Sequence, residues 1–428
     1  MEVLYGEETQ KCVQTMSFSG KTLGDYPTYV KHLLTVKKAA AKANEASGII
    51  PSDIANAIIH ACDLAWQNFD KQQFPVDVCH GGGGIGINMN INEVLASLLM
   101  REGLDLSYPT AEINRSQSTA DVCHTAMRMT IFEELDDLLK SVIECKSAFE
   151  SKSTIYQHTE TIARTCMMDA MAVSWGDRLS GIVEVLKRRI DSIHNIRRNF
   201  LKVNLGGTVI GSGDGASDEY RRVVLTFLTE LFGMEVTHSP NLYDAAQNID
   251  ELVELSQTMS NLSQVFIKIS QNLRFLSSGP EAGIGELKLP KTQAGSSFFP
   301  GKVNPVIPEM MIQSAMMVIA LTSAVESCQT HGEPDLNVFE EFASILVLDQ
   351  IHLLSRSIKL FSEYAIERME VVEGTSQSHA NSLVPKITKL ANKYGYEKVT
   401  NVMKLAEQRS IPLHEALDQL AYTSGDEN

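Results

Sequence analysis

The chain has 428 residues, 43% of them hydrophobic, enough to fill the cores of two or three domains. Charged residues make up 21% and aromatics 7%, with 27 Gly and 13 Pro, so collagen-like, disordered and disulfide-scaffold classes are excluded. A net charge of −16 repels a phosphate backbone and argues against a nucleic-acid partner, and an anionic small substrate needs a locally basic pocket.

In chain order, the N-terminal MEVLYGEETQK has neither a basic region nor an apolar stretch, so no signal peptide is expected. Cysteines at 12, 62, 79, 123, 145, 166 and 328 show no metal-ligand spacing and are odd in number. They read as free thiols in a reducing, cytoplasmic compartment. A glycine-rich turn at 80–90 leads into a helix expected from Asn90 onward. Leu179, Ile182, Val183, Leu186, Ile190 and Ile193 recur at helical spacing, and Gly207 to Ile210 is the best strand candidate. Leu252, Leu255, Met259, Leu262, Phe266 and Ile269 alternate three and four, the pattern of a packed helical seam. Pro308 and Glu309 open a segment, Met310 to Val325, that is apolar on nearly every face and belongs in the middle of something large. The wider run from Val306 to Val325 is interrupted by Pro308, Glu309 and Gln313, so it reads as a core helix and not a membrane span. A further helix is expected from about Phe342 to Phe361.

Polar breaks near Ser107 to Asn114 and Gly374 to His379 divide the chain into an N-terminal helical domain (1–110), a central bundle (111–373) and a small C-terminal helical domain (374–428). The expected fold is mainly α, a three-domain chain around a central bundle of long helices. One chain has trouble burying so many apolar helix faces, so a homo-oligomer with a shared helical core is expected.

Three stretches carry chemistry. In HGGGGIGINMN (80–90), Gly81, Gly83 and Gly86 formally match a dinucleotide fingerprint, but the preceding strand and the βαβ unit are missing. A tight turn feeding a helix, or a substrate loop whose glycines let backbone approach a ligand, suits it better. In NRSQSTADVCHTA (114–126), Ser116, Ser118 and Thr119 are followed by Asp121, either an N-cap cluster or a carboxylate-binding helix start. The stretch 277–305 is rich in glycine and ends in Ser296, Ser297, Lys302 and Asn304, framed by Pro300 and Pro305. It reads as a mobile active-site lid.

The segment GSSFFPGKVNP (295–305) resembles the GSS-x-MP-x-K-x-NP signature of the aspartase/fumarase superfamily. LYGEETQK, GGGGIGINMNINEV, SQSTADV, VNLGGTVIGSG, DLNVFEE and ANKYGYEKVT resemble other segments of that family, in the same order. The resemblance implies a cofactor-independent homotetramer with each active site built from three subunits; from charge and composition, no nucleic-acid or membrane partner is expected. The resemblance also implies anti β-elimination from a small carboxylate substrate. Ser296 would be the base that removes the β proton, Lys302 and Asn304 would hold the α-carboxylate, and Ser118, Thr119 and Ser297 would grip the group on the β carbon. The physics agrees: carbanionic charge must be met by pre-aimed donors, and a serine alkoxide needs stabilisation by Lys302 and loop amides.

The chain departs from the family pattern around the leaving group. Ile85 stands for a Thr, Ala120 for an Asn, and Cys166, after the retained Thr165, for a His; that histidine's acidic partner appears as Asp335. A primary ammonium needs acceptors, whereas a quaternary ammonium suits apolar walls and a ring such as Phe298 or Phe299. Release of a tertiary amine, as in the superfamily's ergothionase activity, which converts ergothioneine to trimethylamine and thiourocanate, is therefore the first expectation. An aspartate ammonia-lyase or fumarase-like lyase is the alternative, and a catalytically silent scaffold is the alternative of another class. Cys166 has a second reading as a buried space-filler. His80, His124 and His331 lie near the motifs, either as structural residues or as a replacement for the missing histidine. Asp121 is expected to cap or pair.

Overall fold

The computed structural model describes residues 3–103 and 107–417. Its helices are α1 (Glu7–Met16), α2 (Pro27–Ala46), α3 (Ser52–Gln67), α4 (Ile85–Arg101), α5 (Pro109–Ile113), α6 (Thr119–Ile155), α7 (Trp175–Arg197), α8 (Asp218–Phe232), α9 (Leu242–Gln247), α10 (Asp250–Leu276), α11 (Val306–Thr330), α12 (Glu340–Phe361), α13 (Glu373–Ala380), α14 (Leu383–Tyr394) and α15 (Tyr396–Gln408). The strands are short. β1 (Glu160–Thr165) and β2 (Met168–Ser174) form an antiparallel hairpin. β3 (Lys202–Val203) and β4 (Thr237–His238) pair in parallel, and β5 (Leu287–Lys288) and β6 (Glu370–Val371) pair antiparallel. The fold is mainly α, as the periodicity predicts.

The chain divides into two compact units. One comprises 1–141, 189–265 and 313–356. The other comprises 142–188, 266–312 and 357–428. The predicted α10 seam is buried along its whole length, from Leu252 to Ile269. Ser256, Ser263 and Ser270 share that burial at a spacing of seven. In the first unit Thr322 of α11 accepts hydrogen bonds from Ser256 (3.2 Å) and from the amide of Gln350 in α12 (2.9 Å), so the buried polar atoms are tied across three helices. In the second unit the Glu286 carboxylate is fully buried and receives Arg164 (2.6 Å), His379 (2.7 Å) and Arg178 (3.3 Å).

Four expectations change. The stretch Gly207–Ile210 is a turn and not a strand. Thr208 sits at φ 56°, and its N–H bonds to Asp121 instead of a neighbouring strand. The helix expected from Asn90 begins at Ile85, directly after the glycine turn. Helix α11 is not buried all round. Met311, Ala315, Val318 and Val325 face the core, whereas Met316 and Met317 are more than half exposed. It is long and apolar enough to cross a membrane by length and composition, with 39% of its most apolar window buried. The polar segment Gly374–His379 lies within α13.

Candidate active site

The glycine turn and the start of α6 pack against each other in the first unit. Gly82, Gly83 and Gly84 all have positive φ, a conformation that costs an L side chain on the order of 1–2 kcal/mol. A Cβ on Gly84 would stand 2.9 Å from the Cys123 sulfur, so the backbone here approaches α6 as only glycine permits. His80 holds the turn. Its Nδ1 bonds to the Asp77 carbonyl at 2.8 Å, and its Nε2 accepts the Gly86 N–H at 2.9 Å. Burial pushes its pKa down, so it acts as a neutral strut.

The start of α6 is a reciprocal cap. The Ser118 hydroxyl accepts the Ala120 N–H (3.3 Å), and the Ser118 N–H bonds to Asp121 (2.8 Å). Asp121 also receives the N–H groups of Gly206 (2.9 Å) and Thr208 (3.1 Å), so it caps and cross-links. Burial raises its carboxyl to about 6 against the pull of these N–H groups. The Thr119 hydroxyl meets the Asn88 amide at 3.1 Å. Asn88 in turn bonds to Asn114, whose carbonyl oxygen also receives Lys37 at 2.9 Å and Asn92 at 3.3 Å. Lys37 is fully buried, and burial lowers its pKa to about 8. The sequence reading missed this network. The asparagines of INMNINEV, four apart on one helix face, were its visible signal.

A second cluster lies beside Ala120. His124 Nδ1 meets Glu340 Oε1 at 2.6 Å. Tyr29 donates its hydroxyl to Glu341 Oε2 at 3.0 Å. Burial pushes the Glu341 carboxyl up to about 8. Gly83, Ala120, His124, Asn337 and Glu341 are among the residues lining a cavity of about 20 Å³. Of the histidines near the motifs, His80 is structural, His331 is exposed and bonds to the Ser327 carbonyl, and only His124 faces a cavity.

The lid residues form a group in the other unit. The Ser296 hydroxyl accepts the N–H groups of Phe298 (3.0 Å) and Phe299 (2.9 Å). Such donors favour a negative charge on that oxygen. Asn304 donates its amide to the Gly295 carbonyl and closes the loop on itself. Lys302 lies 5.6 Å from the Phe299 ring centre, so that ring face already carries a cation. Ser297, Phe298, Phe299 and Lys302 are exposed. Thr165 ends β1, and Cys166 with Met167 makes the two-residue hairpin turn at φ 52° and 64°. Cys166 is exposed at this tip, so it is not the buried space-filler that its residue type suggests. Ile85, Ser118, Thr119 and Ala120 are in the first unit; Thr165, Cys166, Ser296, Ser297, Phe298, Phe299, Lys302 and Asn304 are in the second.

The profile of a family described as "Lyase" matches residues 2–320. An aspartate ammonia-lyase from Helicobacter pylori strain J99 is 33% identical over 96% of this chain and 89% of its own length. A class II fumarate hydratase from Staphylococcus haemolyticus is 31% identical over 91% and 86%. The chain belongs to the aspartase/fumarase superfamily. The cobalt-bound crystal structure of a fumarate lyase:delta crystallin from Brucella melitensis superposes with a TM-score of 0.93 at 32% identity, covering 98% of this chain and 92% of that one. These likenesses support a carbon–nitrogen lyase of that superfamily.

Proposed function

We propose that the enzyme catalyses cofactor-independent anti β-elimination on a succinate-type amino or hydroxy acid, as an aspartate ammonia-lyase or a fumarase-like lyase releasing fumarate. In the amino-acid case Ser296, as the alkoxide, takes the proton from the β carbon. The electron pair passes first into the neighbouring carboxylate and then forms the carbon–carbon double bond, while the C–N bond breaks and ammonia leaves. Lys302 and Asn304 hold the α-carboxylate. Ser118, Thr119 and Ser297 hold the β-carboxylate and meet the charge that develops on it. Thr165, Ile85, Ala120 and Cys166 surround the leaving group.

The observation that carries this reading is the retained serine–lysine–asparagine loop, in a chain whose relatives include an aspartate ammonia-lyase and a class II fumarate hydratase. Those relatives favour it over tertiary-amine release from ergothioneine, which rests on Ile85, Ala120 and Cys166, and with them on cation–π contact from Phe298 or Phe299. The half-exposed methionine face of α11 supports a homotetramer with a shared helical core, each site drawing on three chains. The three-part division at 110 and 373 and a cytoplasmic location belong to the same proposal. L-aspartate and L-malate assayed for fumarate, with ergothioneine assayed for thiourocanate, test it. Thiourocanate without fumarate would overturn it in favour of amine release.

A further inference from the structure

We propose that His124 and Glu341 form the pocket that recognises the leaving nitrogen as a primary ammonium. This rests on the ammonia-lyase reading above and supplies the acceptors that Ile85, Ala120 and Cys166 lack.

Three observations carry it. First, His124 Nε2 and Glu341 Oε1 are buried and have no hydrogen-bond partner among the described residues, yet both residues line the cavity beside Ala120 and Gly83. Leaving two buried polar atoms unpaired is costly, so a site that keeps both is built to pair them. Second, the hydrogen bonds fix what the free atoms offer. In the neutral imidazole the Nδ1 proton goes to Glu340, so Nε2 keeps its lone pair. Tyr29 occupies Glu341 Oε2, so Oε1 becomes the second acceptor when a cation entering the cavity draws the proton off the carboxyl. Third, among the described residues no Lys or Arg pairs with Glu340 or Glu341. Two acids and an imidazole acceptor around an unpaired space call for a small cation that donates hydrogen bonds. The cavity, about 20 Å³, has room for one water-sized group and not for three methyl groups. An ammonium fits in size, charge and donors; a trimethylammonium does not.

The test separates binding from turnover. The full-length protein is melted in NH₄Cl, KCl, NaCl and tetramethylammonium chloride at equal ionic strength, alongside Glu341→Gln, His124→Phe and His124→Gln. Gln at 341 keeps the Tyr29 bond but turns a donor toward the cavity, and Gln at 124 places an oxygen near Nε2. Ammonium is expected to raise the melting temperature of the parent above the other three salts. That excess should vanish in Glu341→Gln and His124→Phe and return in part in His124→Gln. Potassium matching ammonium, or an ammonium excess that survives Glu341→Gln, overturns the proposal. In parallel, the KM for L-aspartate should rise about tenfold or more in Glu341→Gln, with kcat less affected. Aspartate turnover unchanged by these variants sinks this inference and leaves the ammonia-lyase reading intact. An ammonium shift without aspartate turnover sinks that reading and leaves the pocket.

Discussion

Replacing Glu341 by Gln should stabilise the folded protein at alkaline pH and leave it nearly unchanged in acid. Glu341 is buried, and its carboxyl is raised from 4.5 to about 8 by that burial, against the help of the Tyr29 hydroxyl. Ionising it in the folded state is disfavoured by on the order of 5 kcal/mol relative to the unfolded chain. Because the folded pKa lies above the unfolded one, the folded state holds its proton longer. The residue costs little below about pH 4.5, and the cost grows through the window up to about pH 8. Gln keeps the shape and the Tyr29 partner and never ionises, so the two proteins part company across that window. Urea unfolding in sodium salts at about pH 5 and about pH 8 should show near-equal midpoints at the first, and a variant more stable by several kcal/mol at the second. Taking the difference between the two proteins cancels Asp121 and Lys37, which titrate in neighbouring windows. Equal midpoints at both pH values would mean that Glu341 ionises as readily in the folded protein as in the unfolded chain, which would refute the burial on which nitrogen recognition depends.

Gly84→Ala should cost about 2–4 kcal/mol, from the positive φ and the 2.9 Å approach to Cys123 together, whereas Gly81→Ala, whose Cβ meets nothing within 4 Å, should fall within about 0.5 kcal/mol of the parent in the same unfolding assay. Ser296→Ala should lower kcat/KM for elimination by about a hundredfold or more while circular dichroism is unchanged; an unaltered rate would remove Ser296 as the base. Glu286→Gln should destabilise by about 3–5 kcal/mol at neutral pH, because two arginines lose their buried partner. Burial pushes the Glu286 carboxyl up, but Arg164 and His379 outweigh it and hold it below its ordinary 4.5. The advantage of the parent over this variant should therefore be full above about pH 4.5 and shrink as acid protonates the carboxylate, and a variant gap that stays constant into acid contradicts the assignment.

The helical architecture was legible because burial leaves a period in the sequence. The α10 seam alternates three and four, and each of its six predicted positions is buried. The turn at 80–86 was legible for a related reason, since consecutive glycines mark backbone that must take positive φ or pass close to a neighbour, and here it does both. The strand expected at 207–210 failed because β-branched residues were weighed without their partner. The N–H of Thr208, with that of Gly206 just before the stretch, bonds to Asp121, more than 80 residues away in sequence, and no local pattern records that debt. Met310–Val325 failed in part for the opposite reason. Its composition reports how much apolar surface needs cover, but not whether one chain supplies it.

Comparing positions 85, 120 and 166 with the family pattern, each at its own place, asks only whether the acceptors sit where the family has them. A pocket for a charged nitrogen is defined by the acceptors that reach a point in space, and the chain can supply them from any element that passes it. Ala120 removes a polar side chain from the first turn of α6, and the same truncation leaves the space that His124, one turn further along, now lines with Glu341 from α12. Losing the acceptors at three positions therefore argues for an altered leaving group only if nothing else fills their role. Two buried atoms without partners, one on each of those helices, are the physical reason to favour relocation over loss.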